Sequence, residues 1–330
     1  MAGDATLKTR LTERFGLDAP VISAPMALAA GGRLAAAVSG AGGLGLIGGG
    51  YGDAEWLERE FAAAGNARVG CGFITWSLAR NPGLLDRVLD RAPAAIFLSF
   101  GDPAPFAAKI RDAGVPLICQ VQTLTDARHA IDAGAAVIVA QGAEAGGHGE
   151  RRATFTLVPE IADIIAARAP EILLCAAGGV GDGRGLAAAL MLGADGVLVG
   201  SRFWASDEAL VHPAMHAAAL RASGDDTIRS SVMDIVRRRD WPARYTARVL
   251  KNRFTERWHG REDALREAAG EADRWNRAWA EGDTDTANTF VGEVTGMIGD
   301  IRPAADVLHA IVAEAAELLQ RAPRYLGPHR

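Results

Sequence analysis

The clearest indication of the architecture is the segment Ala135-Ala136-Val137-Ile138-Val139-Ala140-Gln141-Gly142-Ala143-Glu144-Ala145-Gly146-Gly147-His148-Gly149. Its first six residues are apolar without interruption, which is typical of a parallel strand buried on both faces. The nine residues that follow are polar and rich in glycine, so we interpret them as the loop that leads from this strand to the next helix. In a (β/α) barrel that loop lies on the face that carries the chemistry.

Apolar strands and Ala-rich helices alternate through about the first two hundred residues. The predicted strands are Val21–Ala24, Leu44–Ile47, Val69–Phe73, Ala95–Ser99, Pro116–Val121, Ala135–Ala140, Ile172–Ala176 and Gly196–Val199. The predicted helices are Arg33–Ser39, Ala54–Ala64, Pro82–Asp90, Pro105–Ala113, Thr125–Ala133, Pro159–Arg168 and Gly183–Leu192. N-cap side chains are predicted at Asp53 and Asn81. Eight such units close most simply as a TIM barrel; the count of eight disfavours the alternative, a doubly wound open sheet.

The composition of the chain changes after Trp204. Arg, Glu, Asp and Trp become frequent from about Ser206 to Asp285, and the pattern of parallel strands disappears. Within this stretch Asp263–Trp279 has helical spacing, with an apolar stripe that we interpret as packing rather than as a ligand site. Pro303–Gln320 then has the apolar periodicity expected of the eighth helix of a barrel.

We therefore predict an α/β protein of two parts. Residues 1–205 and 286–330 would form a TIM (β/α)8 barrel. Residues 206–285 would form a mostly helical substrate or lid domain, inserted between strand eight and the last helix. In that place the insertion would lie over the mouth of the barrel and complete a pocket.

Composition and charge argue against nucleic-acid and membrane partners. Hydrophobic residues make up 49% of the chain, charged residues 23%, and the formal net charge is −5. The chain therefore lacks the excess of positive charge that would attract nucleic acid or an anionic membrane. No apolar run reaches the roughly 20 residues of a membrane span. The start Met1-Ala2-Gly3-Asp4 lacks the regions of a secretory signal, so we expect a cytoplasmic protein. The cysteines at positions 71, 119 and 175 have no CxxC spacing, and we interpret all three as core residues.

Loops after three further strands would lie on the same face as the His148 loop. Ala24-Pro25-Met26 follows the first strand, and a methionine offers a soft surface suited to an aromatic ring system. Ala176-Ala177-Gly178-Gly179-Val180-Gly181 follows strand seven, and Val199-Gly200-Ser201-Arg202 follows strand eight. Loops after strands seven and eight of this fold commonly bind phosphate through backbone N–H groups. A simple turn is the alternative for each loop taken alone.

The loop after strand six adds a group that can transfer protons. Its paired glycines, Gly146 and Gly147, let backbone N–H groups approach a bound molecule without a Cβ in the way. His148 beside them can take up or release a proton near neutral pH. The sequence therefore predicts a binding site with a titrating histidine at the mouth of the barrel.

Several other patterns have more ordinary explanations. Gly40–Gly45 fits GxGxxG but follows a helix and precedes a strand, the reverse of the nucleotide-binding order. His212 and His216 are four residues apart but lack an acidic third ligand, so we predict no metal site. Arg237-Arg238-Arg239 is interpreted as a solvated helix face or a domain contact. Arg202 could supply charge to a phosphate or point outward. For Trp76 and the 241–245 segment, pocket lining and core packing remain equally open.

Taken in order, the motifs resemble the nitronate monooxygenase family, formerly called 2-nitropropane dioxygenases. The superfamily also contains the flavin-type enoyl-acyl-carrier-protein reductases. The resemblance is carried by Thr9-Arg10-Leu11, Pro20–Met26, Gln141–Gly149, Ala177–Val180, Val197–Phe203 and the closing segment Gly292–Ile301. It implies a TIM barrel that binds FMN and carries a helical substrate domain.

The resemblance also assigns roles to individual residues. It implies that His148 is catalytic, and that the cofactor is bound by Ala24, Pro25, Met26, Gln120, Gln141, Gly146, Gly147, Gly178, Gly179, Gly200 and Ser201. The first three would line the flavin ring, and Gly179, Gly200 and Ser201 would hold the phosphate. Three positions depart from the family pattern, with Gly72 where many members have Asn, Gln120 where one class has Lys, and Glu293 where Gln is common.

The activity implied by the resemblance is FMN-dependent oxidation of alkyl nitronates or nitroalkanes by O₂, which yields a carbonyl compound and nitrite. His148 would be the base for a neutral nitroalkane or the charge partner of a nitronate. An NAD(P)H-dependent reductase of an enoyl thioester is the alternative within the flavin class. A non-catalytic flavin- or phosphate-binding barrel is the alternative of another class. The sequence leaves the physiological substrate, the use of NAD(P)H and a homodimeric state open.

Overall fold

The computed structural model describes residues 7–326. In chain order the strands are β1 (Val21–Ser23), β2 (Leu46–Gly48), β3 (Gly70–Ile74), β4 (Ile96–Ser99), β5 (Leu117–Val121), β6 (Val137–Gln141), β7 (Gly147–Gly149), β8 (Leu173–Ala177), β9 (Gly196–Val199), β10 (Thr227–Ser230) and β11 (Thr246–Leu250). Eight of them form one parallel sheet in the order β1-β9-β8-β6-β5-β4-β3-β2. A bridge between Ile22 and Leu44 joins the two edges of this sheet, so it closes as a barrel.

The helices surround the barrel and build the insertion. They are α1 (Arg10–Phe15), α2 (Gly32–Gly40), α3 (Ala54–Ala64), α4 (Thr75–Leu78), α5 (Gly83–Leu89), α6 (Ala104–Asp112), α7 (Leu124–Asp132), α8 (Thr154–Arg168), α9 (Gly183–Met191), α10 (Ser201–Trp204), α11 (Pro213–Arg221), α12 (Val232–Val236), α13 (Arg253–Trp258), α14 (Glu262–Glu267), α15 (Glu271–Glu281) and α16 (Ala304–Arg321). The last of them, α16, packs against α9 and α2. It therefore takes the place predicted for the eighth barrel helix.

The barrel strands are apolar over most of their length because both of their faces are buried. In β6, Val137 and Val139 belong to the cluster inside the barrel, while Ile138 and Ala140 belong to the cluster between the sheet and the helices. Side chains of a strand alternate between its two faces, so neither set can be polar without losing a buried contact. The TIM barrel predicted from this pattern is confirmed.

One predicted N-cap and one predicted helix start are wrong. Asn81 is not an N-cap, because α5 begins at Gly83 after Pro82 and has no side-chain cap. Helix α8 begins at Thr154 rather than at Pro159, which lies inside the helix. The backbone N–H of Thr154 donates to the Glu144 carboxylate at 3.0 Å, so a side chain of the preceding loop holds the first turn. The predicted cap at Asp53 is confirmed, since its side chain accepts from the N–H of Trp56.

The insertion is mostly helical but also contains two strands that the sequence did not reveal. Strand β10 is antiparallel to β11, and β11 pairs in turn with β7, which lies in the loop after β6. The stripe over 263–279 is split between α14 and α15, because Gly270 between them has a φ of 77°. Leu265 and Trp275 of the stripe are buried in the second apolar cluster, as predicted for packing, whereas Trp279 also borders the pocket described below. The domain boundaries at 206 and 285 stay a prediction.

All three cysteines are free and buried, which confirms their interpretation as core residues. Burial raises the pKa of the Cys119 thiol to about 12 and raises the pKa values of the Cys71 and Cys175 thiols as well. Over residues 7–326, no helix combines the length and the apolar character needed to cross a membrane. The first residues of the chain, on which the expected cytoplasmic location rests, lie outside the described part, as do the last four of the predicted barrel domain.

Candidate active site

One pocket at the carboxyl ends of the barrel strands brings together every residue predicted for the site. It is bordered by His148 and by Ala24, Pro25, Met26, Gln120, Gln141, Gly146, Gly147, Gly178, Gly179, Gly200 and Ser201. The parallel topology explains this convergence, because the loops after all eight strands open on the same face. The placement agrees with the sequence analysis, and the roles of the individual residues remain predictions.

The loops after β8 and β9 leave backbone donors available at one side of the pocket. Gly178 and Gly179 have φ values of 91° and 77°, which favour glycine and turn the chain sharply after β8. The N–H groups of Gly179 and Gly200 donate to no acceptor within residues 7–326. The Ser201 hydroxyl accepts from the N–H of Gly292 at 2.9 Å, which leaves its own proton for a ligand. These donors fit a phosphate group.

The wall of the pocket next to these donors is apolar, since an added Cβ on Gly200 would lie 3.6 Å from the Cβ of Ala24. Ala24, Pro25 and Met26 form it together with Gly72 of β3. A Cβ placed on Gly72 would lie 2.4 Å from the Cβ of Pro25, so glycine is required where many family members have Asn. Apolar side chains beside free N–H groups fit an aromatic ring that carries a phosphate.

His148 lies between the barrel and the insertion, and several contacts fix its position. Its carbonyl accepts from Gln141 Nε2 at 3.1 Å, and Gln141 Oε1 accepts in turn from Gln122 at 2.8 Å. The Trp241 ring stacks on the imidazole, with the ring centroids 3.4 Å apart and the planes at 6°. The side chain of Gln141 is therefore occupied in holding the histidine, although it also borders the pocket.

The imidazole makes a buried contact with a carboxylate that was not predicted from the sequence. His148 Nε2 lies 2.9 Å from Asp234 Oδ2, and the exposed fractions of the two side chains are 8% and 3%. The other carboxylate oxygen of Asp234 accepts from Arg237 Nη2 at 2.9 Å. Two donors thus share one buried carboxylate beside the pocket.

Burial lowers the pKa of His148 below its ordinary value of 6.5. Asp234 acts in the opposite direction and raises the pKa, whereas Arg237 and Arg229 lower it further. The effect of burial is the largest of these, because water that would solvate the imidazolium is excluded. At neutral pH the histidine is therefore uncharged and can accept a proton.

Arg237 is not a solvated residue, which contradicts the first of the two interpretations of the triple-arginine run, a solvated helix face, and leaves the second, a domain contact. Its side chain is only 15% exposed, borders the pocket and lies over the Phe290 ring at 5.0 Å. The sequence did contain a signal for its partner. Asp234 is the single charged residue in the run Val232-Met233-Asp234-Ile235-Val236, and a carboxylate in such a run needs a partner when it is buried.

Two other charged residues serve the packing of the loops rather than the pocket. Arg202 is buried and donates to Asp300 Oδ1 at 2.5 Å and to the carbonyl of Ala205 at 3.1 Å, so it does not reach the phosphate side. Glu293, at the position where Gln is common, forms an ion pair with Arg248 at 2.8 Å. Neither residue borders the pocket.

The part of the pocket beyond His148 is aromatic and apolar. Trp241 borders it, donates from Nε1 to the Tyr51 hydroxyl at 3.0 Å and packs against Phe100 at 5.1 Å. Trp76 and Tyr245 pack behind Trp241. Of the candidates for pocket lining, Trp241 therefore lines the pocket, and the other two support it. Further apolar residues of this half are Leu28, Leu210, Val211, Met215, Trp279 and Phe290.

A closed parallel barrel with its pocket at the carboxyl face is the architecture of the TIM-barrel enzymes. The family model described as nitronate monooxygenase matches residues 8–68 and 75–314. The chain belongs to the nitronate monooxygenase family and is a flavin-dependent oxidoreductase.

Similar proteins cover almost the whole chain. A nitronate monooxygenase of Neurospora crassa is 33% identical over 344 residues, which is 91% of this chain and 90% of the relative. A (3aS,4S,5R,7aS)-5-hydroxy-7a-methyl-1-oxo-octahydro-1H-indene-4-carboxyl-CoA dehydrogenase of Mycobacterium tuberculosis is 29% identical and covers 96% and 98% of the two chains. Among solved structures, FabK of Thermotoga maritima superposes with a TM-score of 0.84 at 30% identity and covers 97% and 100%.

Proposed function

We propose that the protein is an FMN-dependent monooxygenase that oxidises alkyl nitronates or nitroalkanes with O₂ to a carbonyl compound and nitrite. The observation that carries this proposal is the position of an uncharged His148 at the pocket, beside the glycine loops. Its neighbours in the apolar half suit the hydrocarbon part of a nitro compound. Membership of the nitronate monooxygenase family supports the choice of reaction.

FMN fits the donors that the pocket provides. The N–H groups of Gly179 and Gly200 and the hydroxyl of Ser201 would hold its phosphate. Ala24, Pro25 and Met26 would line one side of its ring, and Gly146 and Gly147 would approach it from the loop after β6. When bound, the flavin supplies the redox chemistry, by taking electrons from the substrate and passing them to O₂.

The protein contributes orientation, exclusion of water and a base. A neutral nitroalkane must lose its α-proton before it can give up electrons, and His148 can accept that proton in its uncharged form. A substrate that already arrives as a nitronate needs no base. In that case a protonated His148 would act as a charge partner for the nitro oxygens.

The pH dependence of the reaction follows from the lowered pKa of His148. The base works only when uncharged, so we expect kcat/KM for a neutral nitroalkane to stay level as the pH falls to about 6.5 and to drop only below that. Measurement from about pH 5 to about pH 9 with freshly dissolved nitroethane would check this. A loss of activity centred above pH 6.5 would contradict it.

The function itself is tested by the visible spectrum and an oxygen electrode. We expect a yellow protein that consumes oxygen when ethyl nitronate or propionate-3-nitronate is added without NADH. A colourless protein would contradict the flavin assignment. A yellow protein that neither nitronate nor NADH can cycle would be the non-catalytic binding barrel.

The second candidate is an NAD(P)H-dependent reductase of enoyl thioesters. The similarity to FabK and the many apolar residues that border the pocket are the observations in its favour. It predicts stoichiometric NADH oxidation when an enoyl-CoA or an enoyl carrier protein is added, and no oxygen uptake with nitronate. A homodimer and a cytoplasmic location remain predictions.

A further inference from the structure

The contact between His148 and Asp234 determines which ring nitrogen carries the proton. A carboxylate accepts hydrogen bonds and cannot donate them, and Asp234 already accepts from Arg237 Nη2 through its other oxygen. An uncharged imidazole carries one N–H, and the 2.9 Å contact with Asp234 requires it at Nε2. The lone pair is then on Nδ1.

The second ring nitrogen is free to act on a bound molecule. Nδ1 of His148 makes no hydrogen bond within residues 7–326, and the residue borders the pocket. Trp241 covers one face of the ring in a parallel stack that fixes the plane of the imidazole, and a 180° flip within that plane would take Nε2 away from Asp234. The arrangement holds one nitrogen on the carboxylate and leaves the other available to the pocket.

We propose that Asp234 is a positioning residue that keeps the proton of neutral His148 on Nε2 and so makes Nδ1 the atom that accepts the substrate's α-proton. In that step the C–H bond breaks, an Nδ1–H bond forms, and the electron pair stays on the substrate as the nitronate. The imidazolium that results donates from Nε2 to the carboxylate, which stabilises its charge. The catalytic half of this proposal rests on the proposed function, whereas the proton position does not.

Arg237 makes the substitution Asp234→Asn informative. The guanidinium has only donors, so the new amide must turn its carbonyl oxygen toward Arg237 and its NH₂ group toward His148. The imidazole must then accept at Nε2, which moves its proton to Nδ1. The variant keeps the shape of the side chain at position 234. Nδ1 of His148, however, then carries a proton and cannot accept one from the substrate.

The first readout is the position of the proton, which does not depend on turnover. In the FMN-bound protein labelled with ¹⁵N-histidine, the chemical shifts distinguish a nitrogen with a proton from one with a lone pair. His148 is assigned among the seven histidines as the signal lost in His148→Asn. We expect the proton on Nε2 in the unaltered protein and on Nδ1 in Asp234→Asn.

The second readout separates proton abstraction from oxidation. Asp234→Asn should lower kcat for a neutral nitroalkane by roughly 10²–10⁴-fold and change turnover of the preformed nitronate by no more than a few-fold. Asp240→Asn is the matched control, since Asp240 lies on the same segment, is 78% exposed and, among residues 7–326, pairs only with the exposed Arg80. It should leave both readouts unchanged.

Each result has a definite meaning. A proton on Nδ1 in the unaltered protein overturns the proposal, and this measurement stands even if Asp234→Asn fails to fold. Equal losses with nitroalkane and nitronate would overturn the catalytic half, because a proton acceptor affects only the former. If the unaltered protein oxidises no nitronate, the proposed function fails, and the spectra still decide the role of Asp234.

Discussion

Replacing His148 by asparagine is expected to leave FMN bound and to lower the turnover of a neutral nitroalkane by roughly 10²–10⁴-fold, the usual contribution of a positioned general base. Asparagine has about the size of the imidazole but cannot take up a proton. Gly179 and Gly200, whose N–H groups would hold the phosphate, lie in the loops after β8 and β9, and within residues 7–326 neither makes a hydrogen bond to the imidazole. Steady-state kinetics with nitroethane and with its nitronate, together with the flavin spectrum, would measure the effect.

His129→Asn is the matched control for this experiment. His129 lies on α7 at the outside of the barrel, is about half exposed and pairs with Asp102. The control should retain both activities. If His148→Asn keeps full activity with the neutral nitroalkane, His148 is not the base. A loss of the flavin itself would show instead that the histidine is needed to build the pocket.

The second large effect is expected from Gly179→Asp, which should weaken FMN binding by about 100-fold or more. The new carboxylate would lie beside the N–H groups that face the phosphate, and two like charges a few ångströms apart in a partly buried site repel by a few kcal/mol. The backbone itself has room, because the nearest atom to an added Cβ is 3.7 Å away. Titration of the apoprotein with FMN, followed by flavin fluorescence, would give the change in Kd.

Gly114→Asp separates charge from backbone strain. Gly114 has a φ of 70°, close to the 77° of Gly179, and an added Cβ there would meet no atom within 4 Å. It follows α6, at the amino-terminal end of the barrel and far from the pocket. The control should bind FMN normally. Equal binding by both variants would exclude a phosphate at the loop after β8.

The barrel could be predicted because its determinants are local in the sequence. A parallel strand that is buried on both faces is apolar at every position, as Val137–Ala140 illustrates, and this pattern needs no knowledge of distant residues. The glycine loops could be found in the same way, since each directly follows its strand. The reason for glycine at position 72 is not local, because an added Cβ would meet Pro25, which follows a different strand.

The environment of His148 could not be predicted, because it comes from distant parts of the chain. Asp234 lies 86 residues away, and Trp241 enters the pocket from the same part of the insertion. Strand β7 consists of Gly147, His148 and Gly149, residues with no preference for strands; only the pairing with β11 makes it one. The sequence placed the histidine at the pocket but did not give its partners or its protonation.

The pairing of β7 with β11 has a consequence for the evolution and the engineering of this family. In register, His148 stands opposite Ala247, so the residue proposed as the base is a member of the insertion's own sheet. An exchange of insertions between homologues would replace the substrate pocket and, with it, the support of the base. A chimaera made to change substrate preference must therefore include a strand equivalent to β11 and a carboxylate equivalent to that of Asp234. Substrate preference and reactivity are inherited here as a single unit.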